Sequence, residues 1–103
     1  MIARIWRGWT RAADADRYHQ YLLETGVSEY RNTPGNLEVH VLRRIEGERA
    51  EFLIVTFWES MDGVRAFAGD QPERAVFYPE DEHYLVETDL EVRHYEVVPG
   101  ESG

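Results

Sequence analysis

Between Ile2 and Trp9 the chain alternates two sets of side chains, Ile2/Arg4/Trp6 and Ala3/Ile5/Arg7/Trp9. Each set mixes apolar with basic residues, so both faces of this extended segment need covering and a central strand is predicted. From Ala12 to about Thr25 the period changes. Ala15, Tyr18, Tyr21 and Leu22 recur at three- and four-residue spacing, with Asp14 and Asp16 near the start, where a helix dipole favours acids. Gly26 offers a stop, and Asn32-Thr33-Pro34-Gly35-Asn36 is a turn cluster. Leu37 to Ile45 and Arg49 to Trp58 then alternate again around Glu46-Gly47-Glu48, which predicts a β-hairpin.

Ser60 is placed to cap a second helix carrying Met61, Val64, Phe67 and Ala68 on one face and closed by Gly69. Asp70-Gln71-Pro72-Glu73 has the form of a fresh helix start, predicting a short helix to about Phe77. Glu80 to Leu85 predicts a helical turn, Leu90 to Val98 a last strand, and 99–103 a loose tail after one domain over 1–98. The order β-α-β-β-α-β is that of an α+β, ferredoxin-like domain with a four-stranded antiparallel sheet. Two helices cover one face of such a sheet. The large apolar side chains on both faces of the first and third strands predict a homodimer that buries the other face.

Composition narrows the partners. Twenty acidic against eleven basic residues give a net charge of −9, which repels phosphate backbones and anionic lipid, so neither nucleic acid nor membrane is expected as a partner. Arg4, Arg7, Arg11, Arg43, Arg44 and Arg93 are scattered and form no basic stripe. The absence of cysteine removes disulfides, thiolate catalysis and thiolate metal sites together. The start Met1-Ile2-Ala3-Arg4 is interrupted by charge too soon for a signal peptide, and a cytoplasmic protein is expected.

On this frame, Phe57-Trp58-Glu59-Ser60, Val64-Arg65-Ala66-Phe67-Ala68-Gly69 and Ala75-Val76-Phe77-Tyr78-Pro79-Glu80-Asp81 resemble the antibiotic-biosynthesis-monooxygenase type of domain, in particular its small bacterial members. The resemblance implies a dimeric α/β barrel with a pocket between sheet and helices in each subunit. It also implies one of several activities, among them cofactor-free oxygenation of aromatic compounds and haem degradation. Arg7, Phe67 and Phe77 stand near the positions where the haem-degrading branch sets Asn, Trp and His, which makes that activity the weaker expectation.

The candidate chemistry follows from this placement. His83, among Glu80, Asp81, Glu82 and Glu87, is the titratable residue expected to act as a base, and the acids around it are expected to raise its pKa. Tyr78 could hold a substrate oxygen. Arg4 and Arg7 fall on opposite faces of one strand, so at least one must enter an interior or an interface, paired with Glu38, Glu91 or Glu96 or placed to bind an anionic oxygen. The expected catalytic set is His83, Tyr78 and Arg7, with Trp6, Trp58, Phe67, Phe77 and Tyr84 lining an aromatic pocket. His40 and His94 lie on strands, where hydrogen-bonded structural roles are commoner, and His19 lies on the polar side of the first helix. Glu80-x-x-His83 has the spacing of half a di-iron motif without its second half. No phosphate loop or nucleophile elbow is present, so neither cofactor nor metal is expected. The function this predicts is a cofactor-independent monooxygenase, or a related enzyme, acting on a small hydrophobic aromatic substrate. The alternative is a non-catalytic dimer that binds a small ligand or serves as an accessory subunit.

Overall fold

Strand β1, Ile2–Arg11, lies in the middle of the sheet of the computed structural model, which describes residues 1–100. Of the tail expected at 99–103, residues 101–103 lie outside the described residues. After β1 come a 3-10 turn at Ala12–Asp14, helix α1 at Ala15–Glu24 and helix α2 at Gly26–Asn32. Strands β2 (Asn36–Glu46) and β3 (Arg49–Trp58) form the expected hairpin, followed by α3 (Met61–Ala68), α4 (Asp81–Tyr84), β4 (Leu85–Thr88) and β5 (Arg93–Glu96). The strand order is β2-β3-β1-β4, with β5 also antiparallel to β1, so the ferredoxin-like α+β fold is present.

Register decides which face each side chain takes. Ile2, Arg4, Trp6, Gly8 and Thr10 stand opposite Trp58, Thr56, Ile54, Phe52 and Ala50, and this side of the sheet meets the helices. Tyr18 and Leu22 of α1 and Val27 and Tyr30 of α2 pack onto it, joined by Val64 of α3. Gly8 leaves room for its strand neighbour: a Cβ there would come within 2.5 Å of the Trp6 ring, so the indole lies flat along the strand. Gly63 does the same for α3, where an added Cβ would meet the Trp58 ring at 3.0 Å and the Pro34 carbonyl at 3.2 Å.

Ser60 caps α3 as predicted, its Oγ accepting from the Asp62 amide at 3.3 Å. Three expectations need correcting. Gly26, expected as a stop, is instead the first residue of α2: α1 ends at Glu24 with Thr25 as its C-cap, and the helical path resumes at once, burying Val27 and Tyr30. The short helix expected up to Phe77 does not form. Instead Arg74 bridges to Glu91, the Ala75 amide donates to the Leu90 carbonyl at 2.9 Å and the Val92 amide to the Glu73 carbonyl at 2.7 Å. The last strand, expected over Leu90 to Val98, is confined to β5 at Arg93–Glu96, because Leu90–Val92 leaves the sheet to make those bonds, and a further strand, β4, precedes it at Leu85–Thr88.

Candidate active site

Arg4 sits mid-strand on the helix side and is only 2% exposed. Its Nη1 donates to the Tyr30 hydroxyl at 3.3 Å and its Nη2 to the Arg74 carbonyl at 3.1 Å. The guanidinium lies 5.4 Å from the centre of the Phe67 ring, and its Nε is buried with no acceptor. The carboxylate expected from Glu38, Glu91 or Glu96 is not among these partners: Glu38 bonds His40 instead, at 3.1 Å. Burial lowers the Arg4 pKa, opposed by Tyr30, and burial raises that of Tyr30, opposed by Arg4. A buried guanidinium held by a phenol, a carbonyl and an aromatic face has its charge solvated but not neutralised.

Across the same small cavity stands Asp81, the first residue of α4 and itself buried. Its Oδ1 accepts from the Tyr18 hydroxyl at 3.0 Å and its Oδ2 from the Tyr78 amide at 2.7 Å. Burial raises its pKa, and those two hydrogen bonds offset part of the rise. The Tyr78 hydroxyl donates to Glu29 of α2, and its own pKa is raised by burial and then by that carboxylate. On the other side of Arg4, His94 is its register partner on β5. The His94 Nε2 is buried and unpaired, and its pKa is lowered first by burial and then by Arg4.

The cavity bounded by Arg4, Trp6, Tyr30, Val76, Tyr78 and Asp81 holds about 20 Å³, room for about one water. Tyr78 and Asp81 also form one wall of an open groove of about 490 Å³, whose other lining includes Phe77, Pro79, Leu85 and Thr88. A wider depression of about 850 Å³ lies by the hairpin loop, but none of its lining residues is buried and it gathers no chemistry. Among the described residues no three His, Asp or Glu side chains converge as metal ligands, and no helix is long and apolar enough to cross a membrane.

The expected site residues divide. Tyr78 and Trp6 line the cavity, the Trp6 Nε1 donating to the Asp89 carbonyl at 3.2 Å, and Phe67 holds Arg4 from α3. Phe77, 42% exposed, lines the groove. Trp58 is fully buried in the core, bonded through Nε1 to the Thr56 hydroxyl at 2.8 Å, and the half-buried Tyr84 packs its ring against those of Tyr18 and Tyr21 at the core's edge. Arg7 lies on the opposite face of the sheet, exposed, 4.9 Å from the Trp9 ring and bonded to Glu51 at 3.4 Å. The His83 side chain is exposed on α4, outside both the cavity and the groove. The buried polar cluster is instead Arg4, Tyr30 and Asp81, with Tyr18 and His94 beside it and the half-buried Tyr78, bonded to the exposed Glu29, at its edge. Asp81 was hidden in the acidic run Glu80-Asp81-Glu82; its position at the start of a helical turn, next to an apolar segment, was its one sequence signal.

The whole fold matches solved structures. The haem-degrading protein MhuD from Mycobacterium tuberculosis, solved with two haems in its active site, is 20% identical over 99% of this chain and 100% of its own, with a TM-score of 0.63. A protein from Bacillus cereus described as an antibiotic biosynthesis monooxygenase is 12% identical over 99% and 97%, with a TM-score of 0.68. HapK from Hahella chejuensis is 13% identical over 100% and 98%, with a TM-score of 0.61. At these identities the likeness is one of fold. No curated protein matches the sequence. The family model for antibiotic biosynthesis monooxygenases matches residues 1–75, which carry β1, both helices of the first crossover, the hairpin and α3. The chain belongs to the antibiotic biosynthesis monooxygenase family.

Proposed function

We propose that the chain is a cofactor-independent monooxygenase acting on a small hydrophobic aromatic substrate between sheet and helices. The observation that carries this reading is the pairing, across one cavity, of a buried guanidinium without a counter-charge and a buried carboxylate of raised pKa. Asp81 takes the proton from an acidic C–H next to a carbonyl or phenol. Arg4 and Tyr30 hold the oxygen on which the resulting charge collects. The carbanion then combines with dioxygen. The peroxide so formed takes up a proton and loses water, so a CH₂ group and one O₂ become a carbonyl and one H₂O with no external reductant. Tyr78, bonded to Glu29 and standing between groove and cavity, is placed to contact the substrate as it enters.

Oxygen uptake with a panel of anthrones and quinols tests this directly, with consumption of one O₂ per carbonyl formed as the expected result. Binding without oxygen consumption would favour the non-catalytic ligand-binding alternative. Haem binding is a separate outcome, motivated by the bound haems of MhuD, and a titration without a Soret change removes it.

The same reading includes a homodimer. On the sheet face away from the helices, Ile5, Leu53, Val55 and Phe57 are half-buried, while Leu42 and Tyr95 are 49% and 48% exposed. No element of the described residues packs over them. A second copy laid sheet to sheet would bury this patch. Light scattering is expected to give twice the chain mass. Val55→Glu, which would bury an unpaired charge at the seam, is expected to weaken association by at least about a hundredfold. A monomeric wild type would end the dimer reading.

A further inference from the structure

The charge of Arg4 gives a substrate class. We propose that the Arg4 cavity takes the carboxylate of a small aromatic acid, whose ring occupies the groove between Phe77 and Leu85. This rests on the reading of the same cavity as the active site and narrows its substrate from neutral aromatics to aromatic anions.

Arg4 combines 2% exposure with partners that are all uncharged: a phenol, a backbone carbonyl and a ring face. A guanidinium presents a planar fork that matches two coplanar oxygens, and here one tine of that fork, Nε, is buried with no acceptor. The neighbouring acids do not supply those oxygens. Asp81 is held by Tyr18 and by the Tyr78 amide, and Glu29 by the Tyr78 hydroxyl, each anchored away from Arg4 by its own bonds. The unpartnered Nε–H of Arg4 is an obligate donor, and it points to an acceptor-rich group.

The surroundings fit the rest of such a molecule. Tyr78 and Asp81 are shared by the cavity and the 490 Å³ groove, so a ligand whose head meets Arg4 projects its body along Phe77, Pro79 and Leu85. The cavity holds about 20 Å³, so a carboxylate head enters it only if the lining side chains give way. In an aromatic acid bearing a ring hydroxyl, the charge released by ionisation is conjugated with the carboxylate. One guanidinium then serves both to anchor the substrate and to carry its developing charge.

The test compares 2-naphthoate with 2-naphthamide, which has the same shape and no charge, by calorimetric titration of the full chain. The carboxylate is expected to bind at least about tenfold more tightly. Arg4→Met is expected to abolish that preference and Arg4→Lys, which keeps the charge but not the fork, to retain part of it. Phe77→Ala should weaken both ligands alike and leave their ratio unchanged, a readout independent of any effect on folding at Arg4. Equal affinities, no binding of either, or a preference that survives Arg4→Met would overturn the proposal. Oxygen uptake on neutral anthrones without a carboxylate preference would overturn it alone, whereas naphthoate bound at Arg4 with no oxygen uptake on any substrate would remove only the oxygenase reading.

Discussion

Asp81→Asn is expected to lower turnover in the oxygen-uptake assay by about 10²–10⁴-fold, the usual contribution of a positioned general base. The wild-type rate should rise with pH as Asp81 ionises. Because burial raises its pKa, that acid limb should lie above the ordinary carboxylate range, and it should vanish in the variant. Stability should move the other way. A carboxyl whose pKa is higher folded than unfolded contributes stability that is present at low pH and lost as pH rises through the folded value. The neutral amide escapes that loss, though it can accept only one of the two hydrogen bonds from Tyr18 and the Tyr78 amide, at a cost of about 1 kcal/mol. A folded variant with a flat, low rate is the expected outcome. Undiminished turnover would remove Asp81 as the base.

Trp58→Ala is expected to cost about 3–5 kcal/mol, most of the margin of a small domain. The indole is fully buried at the last position of β3, edge-on to Tyr30 at 6.2 Å and beside Phe67 at 6.1 Å, with Gly63 closing against its ring. Truncation leaves a cavity under the two aromatic residues that touch Arg4. Urea unfolding should show the loss, and a change below about 1 kcal/mol would mean that α3 can collapse onto the sheet without it.

How far the sequence reveals the molecule differs from element to element. The central position of β1 was visible because both of its alternation sets carry side chains that need cover, and α3 was marked at both ends by Ser60 and Gly69. The helix expected after Pro72 had a good local start but no length. A single turn repays its nucleation poorly, and backbone bonds to Leu90 and Val92 offered more. Those bonds join residues far apart in the chain, which no local pattern reports. The same limit governed the site. Alternation separated Arg4 from Arg7, but which face the helices cover depends on the path of the crossover. His83 and Asp81 lie two residues apart in one acidic run, and a four-residue helix turns one inward and the other to solvent.

The separation of β4 from β5 has a mechanical consequence. β5 holds β1 through four paired positions at Ile2–Ile5, independently of β4, which grips β1 at Gly8–Thr10. Tension or fraying at the C-terminal end therefore unzips β5 first and stops at the Asp89–Val92 step, where the bonds to Glu73 and Ala75 resist. Lifting β5 removes His94 from beside Arg4 and admits water to the guanidinium. The charge at the heart of the molecule is thus guarded by a strand of four residues.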